Sequence, residues 1–370
     1  MLIGVLKEIK NNEKRVGLTP DNIKEFISCG HKVLVETNAG IGLNITDDDY
    51  IKAGAQIISS AKNIWVTADM IIKVKEPEPC EYEFLKENTI LYTYLHLAAN
   101  EELTKVLLDK NITAIAYETI EDENGNLPCL RPMSEIAGRL SVQEGAKYIE
   151  STYGGKGILL GGVPGVERGK VTIVGGGITG TFAAKVALGL GADVTILDKN
   201  MSRLLYLNDI FGSSVTTLYS NQTNLDKCFR NADLIIGCVL LPGAKAPKII
   251  TEEHVKNMKK GTVIIDIAID QGGCCETSHL TTHDNPIFIK HEVLHYCVGN
   301  MPGSVPVTST MALTNVTVPY ALKIANLGFK EAIKQDCCFA KGVNTYNGCI
   351  TNKNLAESLN LDYKALTDLL

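Results

Sequence analysis

The sequence predicts an α/β protein of two domains, each a mostly parallel sheet flanked by helices. Three observations predict it. Short apolar runs alternate with helix-like stretches almost throughout, the pattern of sheets joined by helical crossovers. The runs fall into two series, one before residue 120 and one after residue 170. And 370 residues are too many for one ordinary core, at roughly 100–200 residues per domain.

The first series reads Leu2–Leu6, Val33–Val35, Met70–Val74, Ile90–Leu95 and Ile112–Tyr117 as strands, with helices at Pro20–Ser28 and Glu101–Leu108. Thr46 followed by Asp47, Asp48 and Asp49 has the form of an N-cap with carboxylates in the first helical turn, not a metal site. The second series reads Val171–Val174, Val194–Leu197, Val215–Leu218, Leu234–Leu240, Val263–Ala268 and Leu294–Val298. Six strands in that order suit a complete doubly wound domain. A long helix is expected from Pro132 to about Tyr153, and another from about Ser309 to Asn326, after a stiff Pro-rich connector at 301–306. The tail beyond, with a helix at Leu355–Leu359, is too short to fold alone and is expected to rejoin the first domain. The expected division is 1–128 plus 307–370, and 129–306. Two crossings of this kind suit a hinge and a cleft.

Composition removes several classes. Lys+Arg number 36 against 42 Asp+Glu, a net charge of −6, which argues against a nucleic-acid binder. The chain is 45% hydrophobic and 21% charged, values of a folded globular protein. Lys7 and Glu8 interrupt the N-terminus before a signal-peptide core can form, and Lys185 and several glycines break the best membrane candidate. A cytoplasmic location is expected, with all eleven Cys reduced and mostly buried.

The sharpest local signal is Gly175-Gly-Gly177-Ile-Thr-Gly180, which follows the apolar Val171–Val174 and opens a helix. In a dinucleotide-binding (Rossmann) turn, Gly175 permits the tight bend and Gly177 admits the pyrophosphate. Gly180 lets helix and strand pack closely. The helix N-terminus supplies N–H groups to phosphate. Asp198, at the end of the next strand, can accept the ribose hydroxyls and favours NAD over NADP, with Lys199 and Arg203 nearby to moderate that choice.

Arg15, Lys75, His96, Asp270 and Asn300 each follow a predicted strand, where open parallel sheets place ligands. Singly, each has a bland reading; jointly, beside a dinucleotide domain, they suggest a site. Two histidine pairs at four-residue spacing raise the question of a metal. His279/His283 lies in loop-like sequence. His291-Glu-Val-Leu-His295 is a literal H-E-x-x-H, but it runs into a β-branched segment read as a strand, which would hold its imidazoles on the order of 13 Å apart. No metal is expected.

The first part of the chain holds Gly4-Val-Leu-Lys-Glu, Glu13-Lys-Arg15-Val, Lys73-Val-Lys75-Glu-Pro, Tyr94-Leu-His96-Leu-Ala-Ala and Arg131-Pro-Met-Ser134-Glu. The second holds Pro242-Gly-Ala-Lys-Ala-Pro-Lys, Asp266-Ile-Ala-Ile-Asp270-Gln-Gly-Gly and His295-Tyr-Cys-Val-Gly-Asn300-Met-Pro-Gly. In these stretches, and over essentially its whole length, the chain resembles the alanine dehydrogenase/transhydrogenase NAD-binding subunit family. The resemblance implies NAD-dependent, reversible oxidative deamination of L-alanine to pyruvate and ammonia, in a homohexamer. It implies that Arg15 and Lys75 contact the substrate carboxylate and carbonyl, and that His96 and Asp270 are the catalytic pair. Implied cofactor contacts are Ser134, Ile178, Thr179, Asp198, Arg203, Ser220, Val239, Leu240, Ile267, Ala268, Ile269, Asp270, Val298, Gly299, Asn300 and Met301. His279 departs from the pattern, since an Arg or Lys is expected there. Cys274-Cys275 and Gly299 are small variations.

In such a mechanism Arg15 grips carboxylate and Lys75 polarises the keto oxygen. His96 exchanges protons near neutral pH, and Asp270 orients ammonia or water. Closure of the two domains would exclude water. Three rival readings are a transhydrogenase NAD-binding subunit, a saccharopine dehydrogenase with a larger substrate, and a catalytically silent NAD-responsive binding protein.

Overall fold

In the computed structural model, which describes residues 1–239 and 246–370, the chain first lays down six strands. They are β1 (Leu2–Val5), β2 (Lys32–Glu36), β3 (Gln56–Ile58), β4 (Met70–Ile72), β5 (Ile90–Thr93) and β6 (Thr113–Ala116). Helices α1 (Pro20–Ser28), α2 (Asp47–Lys52), α3 (Ala61–Thr67) and α4 (Glu101–Asp109) connect most of them. β4, β5 and β6 are buried at every position, so their apolar runs are continuous rather than alternating, as strands covered on both faces require. Thr19 and Thr46 close capping boxes on Asn22 and Asp49, so the Asp47–Asp49 triplet opens a helix as its spacing predicts.

Helix α5 (Arg131–Tyr148) leads into the second series, ending five residues earlier than expected. There follow β7 (Lys170–Val174), α6 (Ile178–Gly189), β8 (Asp193–Asp198), α7 (Met201–Phe211), β9 (Val215–Tyr219), α8 (Gln222–Asn231) and β10 (Leu234–Gly237). α9 (Glu252–Lys256), β11 (Val263–Asp266), β12 (Ile287–Lys290) and β13 (Val293–Tyr296) complete it. The long helix α10 (Pro306–Leu327) then carries the chain to β14 (Val343–Tyr346), which pairs antiparallel with β6, and to β15 (Cys349–Ile350).

Contacts divide the chain into Met1–Met133 with Val305–Leu370, and Ser134–Ser304. The first unit holds an eight-stranded sheet ordered β15-β14-β6-β5-β4-β1-β2-β3. Its core joins Trp65, Leu91 and Leu103 to Ile350 and Leu355 of the tail. The second holds seven strands ordered β12-β13-β11-β10-β7-β8-β9, over a core that includes Val174, Phe229, Ile250 and Ile264. In each sheet strand order reverses at the first strand, between β1 and β4 and between β7 and β10.

Four strands and several helices, α3 among them, are absent from the sequence expectation. β3 is three residues long at a sheet edge and begins with Gln56, and α3 carries Ile64, Trp65 and Val66, poor helix formers. β12, β14 and β15 are short antiparallel additions, of two to four residues each, on the flanks of the parallel sheets. All eleven cysteines are free thiols, but only Cys129, Cys274, Cys275 and Cys297 are buried, fewer than expected. Among the described residues no helix is long and apolar enough to cross a membrane.

The H-E-x-x-H segment is not helical. His291 and Glu292 form a left-handed turn (φ +51° and +60°) and His295 lies on β13. His291 Nε2 meets Glu252 at 2.7 Å. His295 is fully buried, its Nδ1 donating to the Val293 carbonyl (3.0 Å) and its Nε2 paired with the Thr277 hydroxyl (2.7 Å). The carbonyl can only accept, so Nδ1 carries the proton and Nε2 accepts in the neutral ring.

Burial depresses the His295 pKa to about 4, from an ordinary value near 6.5. The unfolded chain therefore binds this proton first. Stability from the neutral ring is complete above about pH 6.5 and is lost as pH falls toward 4, by roughly 3 kcal/mol in all. Denaturant unfolding between pH 7 and 4 should show this loss, and His295→Gln should flatten it; an unchanged slope in the variant would refute the assignment.

Candidate functional site

In the first unit, Arg15 follows β1, Lys75 follows β4 and His96 follows β5. These three strands are parallel neighbours, so all three residues lie past one carboxyl edge, Arg15 and Lys75 flanking the switch point. Arg15 is only 2% exposed. Glu13 accepts from its Nε at 2.7 Å and from its Nη2 at 2.6 Å, while Nη1 contacts the Met133 sulfur at 3.1 Å. Burial disfavours the guanidinium charge, but Glu13 outweighs it and holds the pKa above its ordinary value. Glu13 thus takes the Nε/Nη2 edge of the guanidinium, and Nη1 lies on the other side.

The backbone ahead of Lys75 is held at each step. Lys73 N–H donates to Tyr92 O (3.2 Å), Tyr117 OH donates to Lys73 O (3.0 Å), and Tyr94 N–H donates to Val74 O (3.3 Å). Glu8 Oε1, from the end of β1, accepts the N–H groups of Val74 (2.6 Å) and Lys75 (3.3 Å). Glu8 Oε2 and Glu81 both face the fully buried Lys73 ammonium, at 3.3 and 3.4 Å. Burial works against that charge, yet the two carboxylates hold the Lys73 pKa above its ordinary value.

His96 has φ +48° and ψ +38°, a left-handed backbone uncommon outside glycine. Its ring is 47% exposed and lies parallel to that of Tyr94 with centroids 6.0 Å apart. Glu118 Oε1 accepts the N–H groups of His96 (2.6 Å) and Leu95 (3.1 Å).

In the second unit, the carboxyl ends of β13, β11, β10, β7 and β8 stand side by side. They lead to Asn300, Asp270, Val239, the glycine turn and Asp198 respectively; Leu240 lies outside the described residues. Gly177 is the N-cap of α6, and no side chain caps this helix, so the first-turn N–H groups of Ile178 and Thr179 face outward. A Cβ on Gly177 would meet nothing within 4 Å, whereas one on Gly180 would collide with the Gly175 carbonyl. The bare helix end and the open space over Gly177 fit a dinucleotide pyrophosphate.

Asp198 Oδ2 accepts Gly176 N–H at 2.7 Å and Oδ1 accepts Asn200 N–H at 2.8 Å; its carbonyl accepts from buried Ser220 at 2.9 Å. Each carboxylate oxygen retains a lone pair for a ribose hydroxyl. Arg203 donates to Gly176 O and to Thr181 Oγ1, and stacks on Tyr206, so it braces the glycine turn from beneath. Ser134 stands in the first turn of α5, one turn before Gly138, where that helix meets the Thr179 carbonyl.

Ile267, Ala268, Ile269 and Asp270 form a short 3-10 turn after β11. Asp270 Oδ2 accepts Asn300 N–H at 3.2 Å, which joins this turn to Val298–Met301. Gly299 acquires a reason here: a Cβ would stand 2.8 Å from Asp270 Oδ1 and 2.9 Å from Leu280. Cys274 and Cys275 are buried, their N–H groups held by Asp266 at 3.1 and 3.0 Å. His279, in place of the expected cation, stacks on Phe288 at 3.8 Å.

Sequence reasoning missed Glu8, Glu118 and the role of Glu13. Glu8 stands 66 residues from its partner Val74, and no spacing rule marks an acid that will reach a distant backbone N–H.

Two alanine substitutions separate the glycine roles. Gly177→Ala should keep the wild-type melting temperature yet weaken NAD binding at least about tenfold, since the methyl fills the space for phosphate. Gly180→Ala should cost at least about 2 kcal/mol of stability by overpacking. Melting curves and NAD titration check both; a Gly177→Ala protein with unaltered NAD affinity would contradict the pyrophosphate placement.

Comparison with known proteins agrees with this architecture. Residues 4–137 match the model of the alanine dehydrogenase/PNT N-terminal domain, and residues 141–353 that of the C-terminal domain. The chain is 58% identical over 364 residues to an alanine dehydrogenase of Methanococcus maripaludis, covering 98% of each. It is 55% identical over 371 residues to alanine dehydrogenase 2 of Staphylococcus aureus, covering 100% of each. A solved L-alanine dehydrogenase superposes with a TM-score of 0.94 at 51% identity, over 97% of this chain and 99% of that one. A transhydrogenase from Sinorhizobium meliloti shares the fold, with a TM-score of 0.82 at 22% identity, over 95% of this chain and 99% of that one. The chain belongs to the alanine dehydrogenase/PNT family.

Proposed function

We propose that this chain catalyses the NAD-dependent, reversible oxidative deamination of L-alanine to pyruvate and ammonia. One observation carries the reading. Arg15, Lys75 and His96 follow three neighbouring parallel strands at the switch point of a sheet, in a chain whose other sheet ends in a bare dinucleotide turn.

NAD, when bound, supplies the acceptor for the hydride that leaves the substrate Cα. Arg15 and Lys75 provide positive charge for a small carboxylate and, in the reverse direction, for the keto oxygen. Lys75 contributes a point charge whose backbone is held by Glu8. The His96 imidazole exchanges protons as the amine becomes imine and then ketone. Asp270 orients water or ammonia through its carboxylate, which Asn300 N–H steadies. The segments at Ile178–Thr179, Ile267–Asp270 and Val298–Met301, with Ser134, Asp198, Ser220 and Val239, hold the cofactor. The tail-containing unit is the substrate domain and the other the cofactor domain. The working assembly is a homohexamer, and the location cytoplasmic.

Mixing the purified protein with NAD and a panel of L-amino acids should yield NADH foremost with alanine. His96→Ala and Asp270→Asn should each lower turnover by about 100-fold or more while NAD still binds. Near-wild-type turnover in both variants would overturn the residue roles. NAD binding without NADH from any amino acid would favour a silent binding protein instead.

A further inference from the structure

We propose that Glu118 is the positioning residue of His96, holding its backbone in the left-handed conformation that directs the imidazole. The inference rests on the reading of His96 as the proton-exchanging residue.

The argument begins where a ladder ends. β5 and β6 pair in parallel up to Thr93 and Ala116. Beyond that register Tyr94 N–H still finds Val74 O, but Leu95 and His96 have left the sheet. Their N–H groups both turn to Glu118, two residues past the end of β6. Oε1 takes His96 at 2.6 Å and Leu95 at 3.1 Å, and Oε2 reaches Leu95 at 3.3 Å. Oε1 is also 3.8 Å from His96 Nδ1, beyond hydrogen-bond reach, so the hydrogen bonds of the carboxylate go to the main chain rather than the ring.

The grip matters because His96 adopts φ +48°, where an L side chain crowds its own backbone. Such a conformation persists only when its surroundings over-determine it. Here they do: Glu118 fixes the N–H side, and on the other side the His96 carbonyl accepts from Ala99 N–H at 3.0 Å. Glu118 is itself immobilised. It sits between Tyr117, whose hydroxyl bonds Lys73 O, and Thr119, whose hydroxyl is tied to Ala116 O, Gly342 O and Asn344. The returning tail thus supports the turn that supports His96. Without the carboxylate, two N–H groups lose their acceptor and the turn relaxes toward extended backbone, which swings the ring away.

A double-mutant cycle on the full chain tests this. Turnover with L-alanine and NAD is measured for wild type, Glu118→Ala, His96→Ala and the double variant, with NAD affinity and melting temperature for each. Glu118→Ala should lower kcat on the order of 10- to 100-fold, the scale of a misplaced catalytic group, and leave NAD affinity unchanged. The double variant should be no slower than His96→Ala alone, because Glu118 acts only through His96. Glu118→Gln, whose amide oxygen can still accept both N–H groups, should recover much of kcat. Glu118→Asp, with its carboxylate on a shorter stem, replaces the Ala variant in the cycle if that one melts below assay temperature. Wild-type kcat in Glu118→Ala, or an equal loss in the presence and absence of His96, would overturn the proposal while leaving the role of His96 standing. Wild-type turnover in His96→Ala would instead remove the reading on which it rests.

Discussion

A parallel sheet satisfies its own backbone only as far as its strands run, and the residues just beyond must find other acceptors. In this protein acidic side chains supply them. Glu8 takes the N–H groups of Val74 and Lys75, Glu118 those of Leu95 and His96, Asp198 those of Gly176 and Asn200, and Asp266 those of Cys274 and Cys275. Each such charge-assisted bond contributes roughly 1.5–3 kcal/mol, against a comparable penalty for an orphaned buried N–H. The loops so held include those bearing Lys75, His96 and the glycine turn. Part of the acidic excess of the chain is therefore spent inward, on main chain, rather than on its surface.

The same economy governs the buried cations. Arg15 and Lys73 lie inside the first unit, where an unpaired charge would be prohibitive. Glu13 answers the first; Glu8 and Glu81 answer the second. Paired charges of this kind add little net stability but hold geometry, because each donor has one place to point. Lys75 then stands two residues from a locked Lys73, on backbone that cannot drift.

What could be read from sequence follows from what is local. The strand–glycine turn–helix at 170–189 is a contiguous pattern, as is the N-cap at Thr46 with its acidic first turn, and each was legible residue by residue. The strand reading of the H-E-x-x-H segment rested on β-branched and apolar neighbours, and β13 has that form. Gly299 had no legible purpose, because the atom it makes room for belongs to Asp270. Glu8 and Glu118 were silent for the same reason: their partners are 66 and 22 residues away, and an acid that grips distant backbone looks in sequence like any surface acid. Edge strands such as β3 and β15, two or three residues long, carry too few side chains to set a period.

The pairing of β14 with β6 has a consequence for the order of assembly. The ribosome delivers the chain from its first residue, and the strand that flanks β6 arrives more than 200 residues after it. The sheet of the second unit has all its strands by Tyr296, while the first still shows an open edge at β6. Contacts of such separation are slow to form and leave an unpaired strand exposed meanwhile. The unit made first is thus the one finished last.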